Sequence, residues 1–225
     1  MADTYEVEVK TLLGSEENAL RLKQRLQELD PSCALRTSST QLNHYFEGGS
    51  VEKLGERLAA YISEETRAKM QRIVREGKNI SVRTRDMNGE ARIVLKASVG
   101  DDSSENGVAR LEIEEPVSLS LEELDQEVLA AGYQYQAKWS RSREEYHTGP
   151  FAVCLDKNAG YGYVAEFERV VEDADAVSEA RKEIAMLMEQ LGVAELPQDR
   201  LERMFTHYNQ HWGDYYGTDK IFVIE

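Results

Sequence analysis

The first regular signal along the chain has period two. Residues 4–12 (TYEVEVKTL) alternate, with Glu6, Glu8 and Lys10 on one face and Val7 and Val9 on the other, which predicts a strand. Ser15 then stands as an N-cap before EENALRLKQRLQEL, whose Leu20, Leu22, Leu26 and Leu29 predict an amphipathic helix ending at Asp30-Pro31. Residues 33–46, rich in Ser, Thr and aromatics, predict one long strand that breaks at Gly48-Gly49. From Val51 to about Glu76 the spacing becomes helical in two pieces, the second opened by Ser63 and closed by Gly77. Strands are predicted at 79–86, 90–98, 107–115 and 133–146, with Asn88-Gly89 as a hairpin turn and a short helix capped by Ser120 before the fourth. Two more strands, near 150–157 and 162–171, flank the Asn158–Gly162 turn. A helix over 174–191 closes at Gly192, and Pro197 opens a last short helix before an aromatic tail.

About eight strands joined by hairpin-like turns, with few helices, argue for an antiparallel α+β fold and against a doubly wound one. No repeat, low-complexity linker or break in composition divides the chain. The pattern therefore predicts one domain over 1–225, with a helical insertion at about 47–77 and a C-terminal helical and aromatic tail at about 197–225. The insertion could form a lid, a dimer surface or plain packing, of which packing is the expected role.

Composition narrows the functional classes. Lys and Arg number 27 against 42 Asp and Glu, a formal net charge of −15 that speaks against nucleic acid as a bulk partner. No apolar run reaches the roughly 18–20 residues a membrane span needs, and MADTYEVEVK has no apolar core of a secretory signal. Cys33 and Cys154 stand alone, without a disulfide framework or zinc-ligand spacing. A soluble, cytoplasmic monomer or homodimer is the expectation.

What sets the chain apart is the repetition of same-sign charges two residues apart. Glu6, Glu8 and Lys10 share a face; so do Arg83 and Arg85, Glu112 and Glu114, Arg141 and Arg143, and Glu166 and Glu168. Lys96 shares its face with Val94, and Asp156 shares its face with Cys154. One such strand is an ordinary solvated face, but like charges roughly 7 Å apart repel, and their recurrence demands a counter-charge. Carboxylate pairs suit hard divalent cations, and guanidinium pairs suit phosphate. Charged inward faces and apolar outward faces packed on helices would make a polar-lined barrel for a metal–polyphosphate complex.

These residues resemble the CYTH superfamily of triphosphate tunnel metalloenzymes, named for class IV adenylate cyclases and thiamine triphosphatases. Glu6-Val7-Glu8-Val9-Lys10 is similar to its E-x-E-x-K signature, Arg83-Thr84-Arg85 to its R-x-R strand, Lys96 to the lysine of the next strand, and Glu112-Ile113-Glu114 to the E-x-E that follows. Arg141-Ser142-Arg143 with Tyr146 resembles K-x-R-x-x-Y, with Arg for Lys. Asp156, Gly162, Val164, Glu166 and Glu168 resemble D-x5-G-x-F-x-E-x-E, with Val for Phe. The resemblance implies an eight-stranded antiparallel β-barrel with flanking helices, a triphosphate-containing substrate, and Mg²⁺ or Mn²⁺. It implies metal ligands at Glu6, Glu8, Asp156, Glu166 and Glu168. Glu112 and Glu114 either join them or brace the arginines. It further implies phosphate contacts at Lys10, Arg83, Arg85, Lys96, Arg141 and Arg143, with Lys10, Glu6 and Glu8 in the catalytic set.

The leading function is a metal-dependent triphosphatase acting on tripolyphosphate, thiamine triphosphate or a nucleoside triphosphate. A class IV adenylate cyclase is the alternative, and a non-catalytic polyphosphate-binding module the second. Gln41-Leu42-Asn43-His44-Tyr45-Phe46 is similar to the cyclase Q-x-D-x-Y-F, but Asn43 replaces its acid. Of the remaining candidates, His44 and His147 are expected at strand ends, and His207 and His211 facing solvent. Tyr133, Tyr135 and Trp139 are expected to pack outward on helices, and Trp212, Tyr215 and Tyr216 within the tail.

Overall fold

The computed structural model describes residues 5–98 and 110–224; the start of the strand expected at 107–115 lies outside them. Eight strands and six helices follow in the order β1 (Tyr5–Gly14), α1 (Glu16–Leu29), β2 (Ala34–Gly48), α2 (Val51–Arg57), α3 (Glu64–Glu76), β3 (Lys78–Met87), β4 (Glu90–Ser98), β5 (Arg110–Pro116), α4 (Leu121–Ala130), β6 (Tyr133–Thr148), β7 (Phe151–Asn158), β8 (Gly162–Val171), α5 (Val177–Gln190) and α6 (Gln198–Tyr215). The strands form an eight-stranded sheet in the order β1-β8-β7-β6-β2-β3-β4-β5. The strand count and antiparallel pairing match the sequence pattern. β1 and β5 end that order among the described residues, so the hydrogen-bonded closure of a barrel is not part of it.

The backbone gathers into two compact units, one of residues 5–39 and 140–224, the other of residues 40–98 and 110–139. In the first unit, β1, β8, β7 and β6 turn one face to α1 and α5. Val7, Val9, Val153, Phe167 and Tyr146 interlock there with Leu22, Leu26, Ile184 and Leu191. Strand alternation then leaves the opposite face to Glu6, Glu8, Lys10, Glu166 and Glu168. Ser15 caps α1 by accepting from the Asn18 backbone N–H, as its position predicted.

The second unit repeats this division with different helices. Phe46, Val82, Ile93, Leu95 and Ile113 face α2, α3 and α4, burying Leu54, Leu58, Ile73 and Leu124 completely. The segment 47–77 is thus part of a core, and Glu115 of β5 holds the start of α3 by accepting from the Ser63 backbone N–H at 2.7 Å. Ser120 and Glu123 complete a capping box on α4. Asn88 and Gly89, both at positive φ, make the β3–β4 turn.

Three expectations change. His44 is not at a strand end but buried within β2, its Nδ1 2.7 Å from Asp125 Oδ2. Asp125 also accepts from the hydroxyls of Thr84 (2.6 Å) and Tyr135 (2.7 Å). Burial alone would raise its pKa, but the hydrogen bonds from His44, Thr84 and Tyr135 hold the carboxyl below its ordinary range. The last helix is not short: α6 carries the aromatic segment through Tyr215, with a break in helical geometry at His211. Tyr208 is fully buried, its ring 5.8 Å from Tyr161 and 6.5 Å from Phe222, so apolar contact extends the helix past its weak local propensity. His207 is only partly exposed, its ring 4.6 Å from Phe222 and 4.5 Å from His211, whereas His211 itself is exposed.

Asp125 ties together side chains of β2, β3 and β6. Asp125→Ala strands two buried partners and the half-buried Tyr135 hydroxyl, and is expected to destabilise the protein by about 3 kcal/mol in urea unfolding. A change below about 1 kcal/mol would show that the network contributes no net stability.

Candidate active site

On the charged face of the first unit, register decides which charges meet. Glu8 lies opposite Glu168 and Lys10 opposite Glu166. Glu166 in turn lies opposite Cys154. Arg143 lies opposite Asp156, and Glu145 opposite Cys154. Like charges therefore face each other at Glu8 and Glu168, and carboxylate oxygens of Glu6, Glu8 and Glu168 come within 4.8 Å of one another.

Beside that cluster the charges alternate in sign. Arg143 donates to both oxygens of Asp156 at 2.7 Å and also meets Glu166. Arg141 donates to Asp156 at 2.9 Å. Lys10 lies 3.3 Å from Glu166 and also contacts Glu8. Burial would raise the Glu166 pKa, but Lys10, Arg143 and Arg141 outweigh it and hold the carboxyl well below the usual range. Glu168 goes the other way: burial, then the charges of Glu166 and Glu6, push it up to about 7. Three crowded carboxylates, one of them reluctant to ionise, are a donor set that fits a hard divalent cation. Burial also pushes the Cys154 thiol up, which leaves it no nucleophile's role.

The charged face of the second unit is richer in guanidinium. Register places Asn43 opposite Arg85 and Tyr45 opposite Arg83. It also places Arg85 opposite Arg92, and Arg83 opposite Val94. Lys96 lies opposite Glu112, and Val94 opposite Glu114. Glu114 accepts from Arg85 at 2.8 Å, and Glu112 lies 3.0 Å from Lys96, so both carboxylates brace cations. Asn43 Oδ1 accepts from Arg85 Nε at 2.8 Å. The Arg83 guanidinium stacks 4.8 Å from the Tyr45 ring centre and donates to its hydroxyl at 3.1 Å.

Of the seven carboxylates proposed as metal ligands, the structure clusters Glu6, Glu8 and Glu168. It sets Asp156 and Glu166 against cations in the first unit, and Glu112 and Glu114 against cations in the second. Sequence reasoning missed Arg92, Asn43's hold on Arg85, and Glu145, which lies 2.7 Å from His147 and accepts from Thr37. Tyr133 and Tyr135 pack in the helix-facing core as expected, whereas Trp139 meets Tyr45 at 6.5 Å between ring centres.

One face of the antiparallel sheet is thus packed on helices, and the other carries paired carboxylates and guanidinium groups. The CYTH domain model matches residues 70–200, and the chain belongs to that family. The matched stretch spans every site candidate from Arg83 to Glu168; Glu6, Glu8 and Lys10 precede it. Among solved structures, the PH1819 protein of Pyrococcus horikoshii OT3 is similar with a TM-score of 0.59 and 19% identity over 86% of this chain and 94% of that one. The PH1012 protein of the same organism gives 0.58 and 18%, over 84% and 91%. A candidate adenylate cyclase of Vibrio parahaemolyticus gives 0.57 and 15%, over 90% and 98%. At these identities the likeness is one of fold. No curated protein matches the chain. Among the described residues no helix is long and apolar enough to cross a membrane.

The Glu168 carboxyl makes a pH-dependent prediction. Its folded pKa of about 7 exceeds the ordinary value of 4.5, so the metal-free fold holds a proton that the unfolded chain releases. Stability from this group is full below the ordinary value and is lost as pH rises through about 7. Glu168→Gln removes that loss. In melting curves with chelator, the variant should gain on the wild type at pH 8 and match it near pH 4.5. An equal offset at both pH values would mean that Glu168 does not titrate this way.

Proposed function

We propose that the protein is a divalent-metal-dependent triphosphatase, hydrolysing a phosphoanhydride of tripolyphosphate, thiamine triphosphate or a nucleoside triphosphate. The clustering of Glu6, Glu8 and Glu168 beside Lys10 on one sheet face carries the reading. Glu6, Glu8 and Glu168 are the residues to hold Mg²⁺ or Mn²⁺. The cation, when bound, neutralises phosphate charge and lowers the pKa of water. Lys10 reaches Glu8 and Glu166, which puts an ammonium beside the carboxylate cluster where a phosphate oxygen can take its hydrogen bond. Arg141 and Arg143 on the first unit carry fixed positive charge suited to phosphate oxygens, and so, on the second unit, do Arg83, Arg85 and Lys96. In the reaction water bonds to phosphorus, the bridging P–O bond breaks with its electron pair going to the departing phosphate, and the water proton passes to solvent or to the departing phosphate. No net charge of the face need change.

The competing chemistry is cyclisation, in which a ribose hydroxyl attacks the α-phosphorus. Asn43 bears on the choice: it stands where the cyclase-like pattern has an acid, and its amide oxygen is used to hold Arg85. That arrangement supports hydrolysis. A cytoplasmic setting belongs to the same reading, because the substrates are intracellular metabolites in character and both cysteines are free.

Product identification is the direct test. With ATP, tripolyphosphate or thiamine triphosphate and Mg²⁺ or Mn²⁺, orthophosphate is expected and cyclic AMP is not. Cyclic AMP with stoichiometric pyrophosphate would replace hydrolase by cyclase. Arg83→Ala is expected to weaken tripolyphosphate binding about ten- to a hundredfold, whereas Arg72→Ala on α3 leaves it unchanged. Equal small effects at both would mean that binding follows diffuse charge.

A further inference from the structure

We infer that Arg92 is a phosphate-binding residue, forming with Arg85 a two-guanidinium clamp on β3 and β4. The inference rests on the polyphosphate reading and adds to it a residue that no motif marks.

Arg92 and Arg85 are directly opposed across the β3–β4 ladder. Side chains at such positions start about 5 Å apart, and like charges placed there destabilise a sheet. Glu114 is shared, 2.8 Å from Arg85 and 3.7 Å from Arg92. Glu90 also meets Arg92, but its side chain is 52% exposed against 22% for Arg92, so that contact sits at the solvent edge. The same face carries Arg83 and Lys96, and its other acid, Glu112, is engaged by Lys96.

The decisive observation is a pair of orphan donors. The Nε–H groups of Arg83 and Arg92 are buried and have no hydrogen-bond partner among the described residues. Buried donors are nearly always paired, so an unpaired one calls for an explanation. Arg67 Nε shares the trait, but its guanidinium is fixed on α3 by Glu64 and the Ala59 carbonyl. On the β3–β4 face two orphans stand among four cations, and phosphate oxygens are the acceptors that match both charge and geometry. A plain surface pair of Arg92 with Glu90 explains the outer contact but not the buried Nε or the placement against Arg85. The chemical class of ligand is a condensed phosphate, free or esterified.

Calorimetric titration of the full-length protein with tripolyphosphate, in chelator so that no turnover occurs, tests this. Arg92→Gln is expected to weaken binding about ten- to a hundredfold, with a melting temperature near the wild-type value. Arg92→Lys keeps the charge but not the fork, so it should recover only part of the loss and also covers the case of an unfolded glutamine variant. Arg75→Gln on α3 serves as the control and should bind as the wild type does. Wild-type affinity in both Arg92 variants, alongside weakened binding in Arg83→Ala, would overturn the clamp and leave the polyphosphate reading intact. Failure of the wild type to bind tripolyphosphate would overturn that reading and the clamp with it.

Discussion

Arg143 engages both oxygens of the buried Asp156 and reaches Glu166 as well, and the electrostatics of the first unit follow from that contact. Two carboxylates withdrawn from water cost several kcal/mol each unless a cation meets them in good geometry. Arg143, with Arg141 and Lys10, meets that requirement and keeps Glu166 ionised. An ionised Glu166 then adds to the burial that makes Glu168 hard to ionise. The carboxylate cluster at Glu6, Glu8 and Glu168 is therefore not simply acidic. It is a place where negative charge is confined by its own neighbours and where an added cation relieves the confinement.

The two units carry complementary versions of one design. Each spends one sheet face on helices, which leaves most charges on those strands to the other; Glu144 and Arg169 are exceptions and pair with Lys23 of α1 and Glu183 of α5. In the first unit carboxylates gather at one end and cations neutralise the rest. In the second, glutamates serve the arginines, and an amide and a phenol orient them further. Stability and chemistry are thus divided by strand alternation: the residues facing helices hold the fold, and those between them in sequence are released for ligand binding.

Much of this was legible because alternation is local. Val7 and Val9 against Glu6, Glu8 and Lys10 assign both faces of β1 without any tertiary knowledge, and the caps at Ser15, Ser63 and Ser120 fix three helix starts. Register is not local, and the misses follow from it. Same-sign pairs two apart cannot reveal Arg92, whose partner in charge on its own strand, Lys96, is four residues away with Val94 between. His44 looked like a strand-end histidine because Asp125, which fixes it, lies on a helix 81 positions later. The length of α6 escaped for a similar reason: Tyr208 is held by Tyr161 and Phe222, one far before it and one just beyond.

The connection after α5 has a consequence for association between copies. β1 ends the strand order among the described residues, and a terminal strand with unpaired backbone groups is a template on which another chain can add. Here the Leu196 backbone N–H donates to the Lys10 carbonyl at 2.8 Å, and residues 192–197 share a cleft with Thr11, Leu12 and Leu13. The template is interrupted at its middle, beside the residue the site relies on. Strand addition there would first have to displace this segment, so the arrangement that keeps Lys10 in place also guards the chain against joining edge to edge.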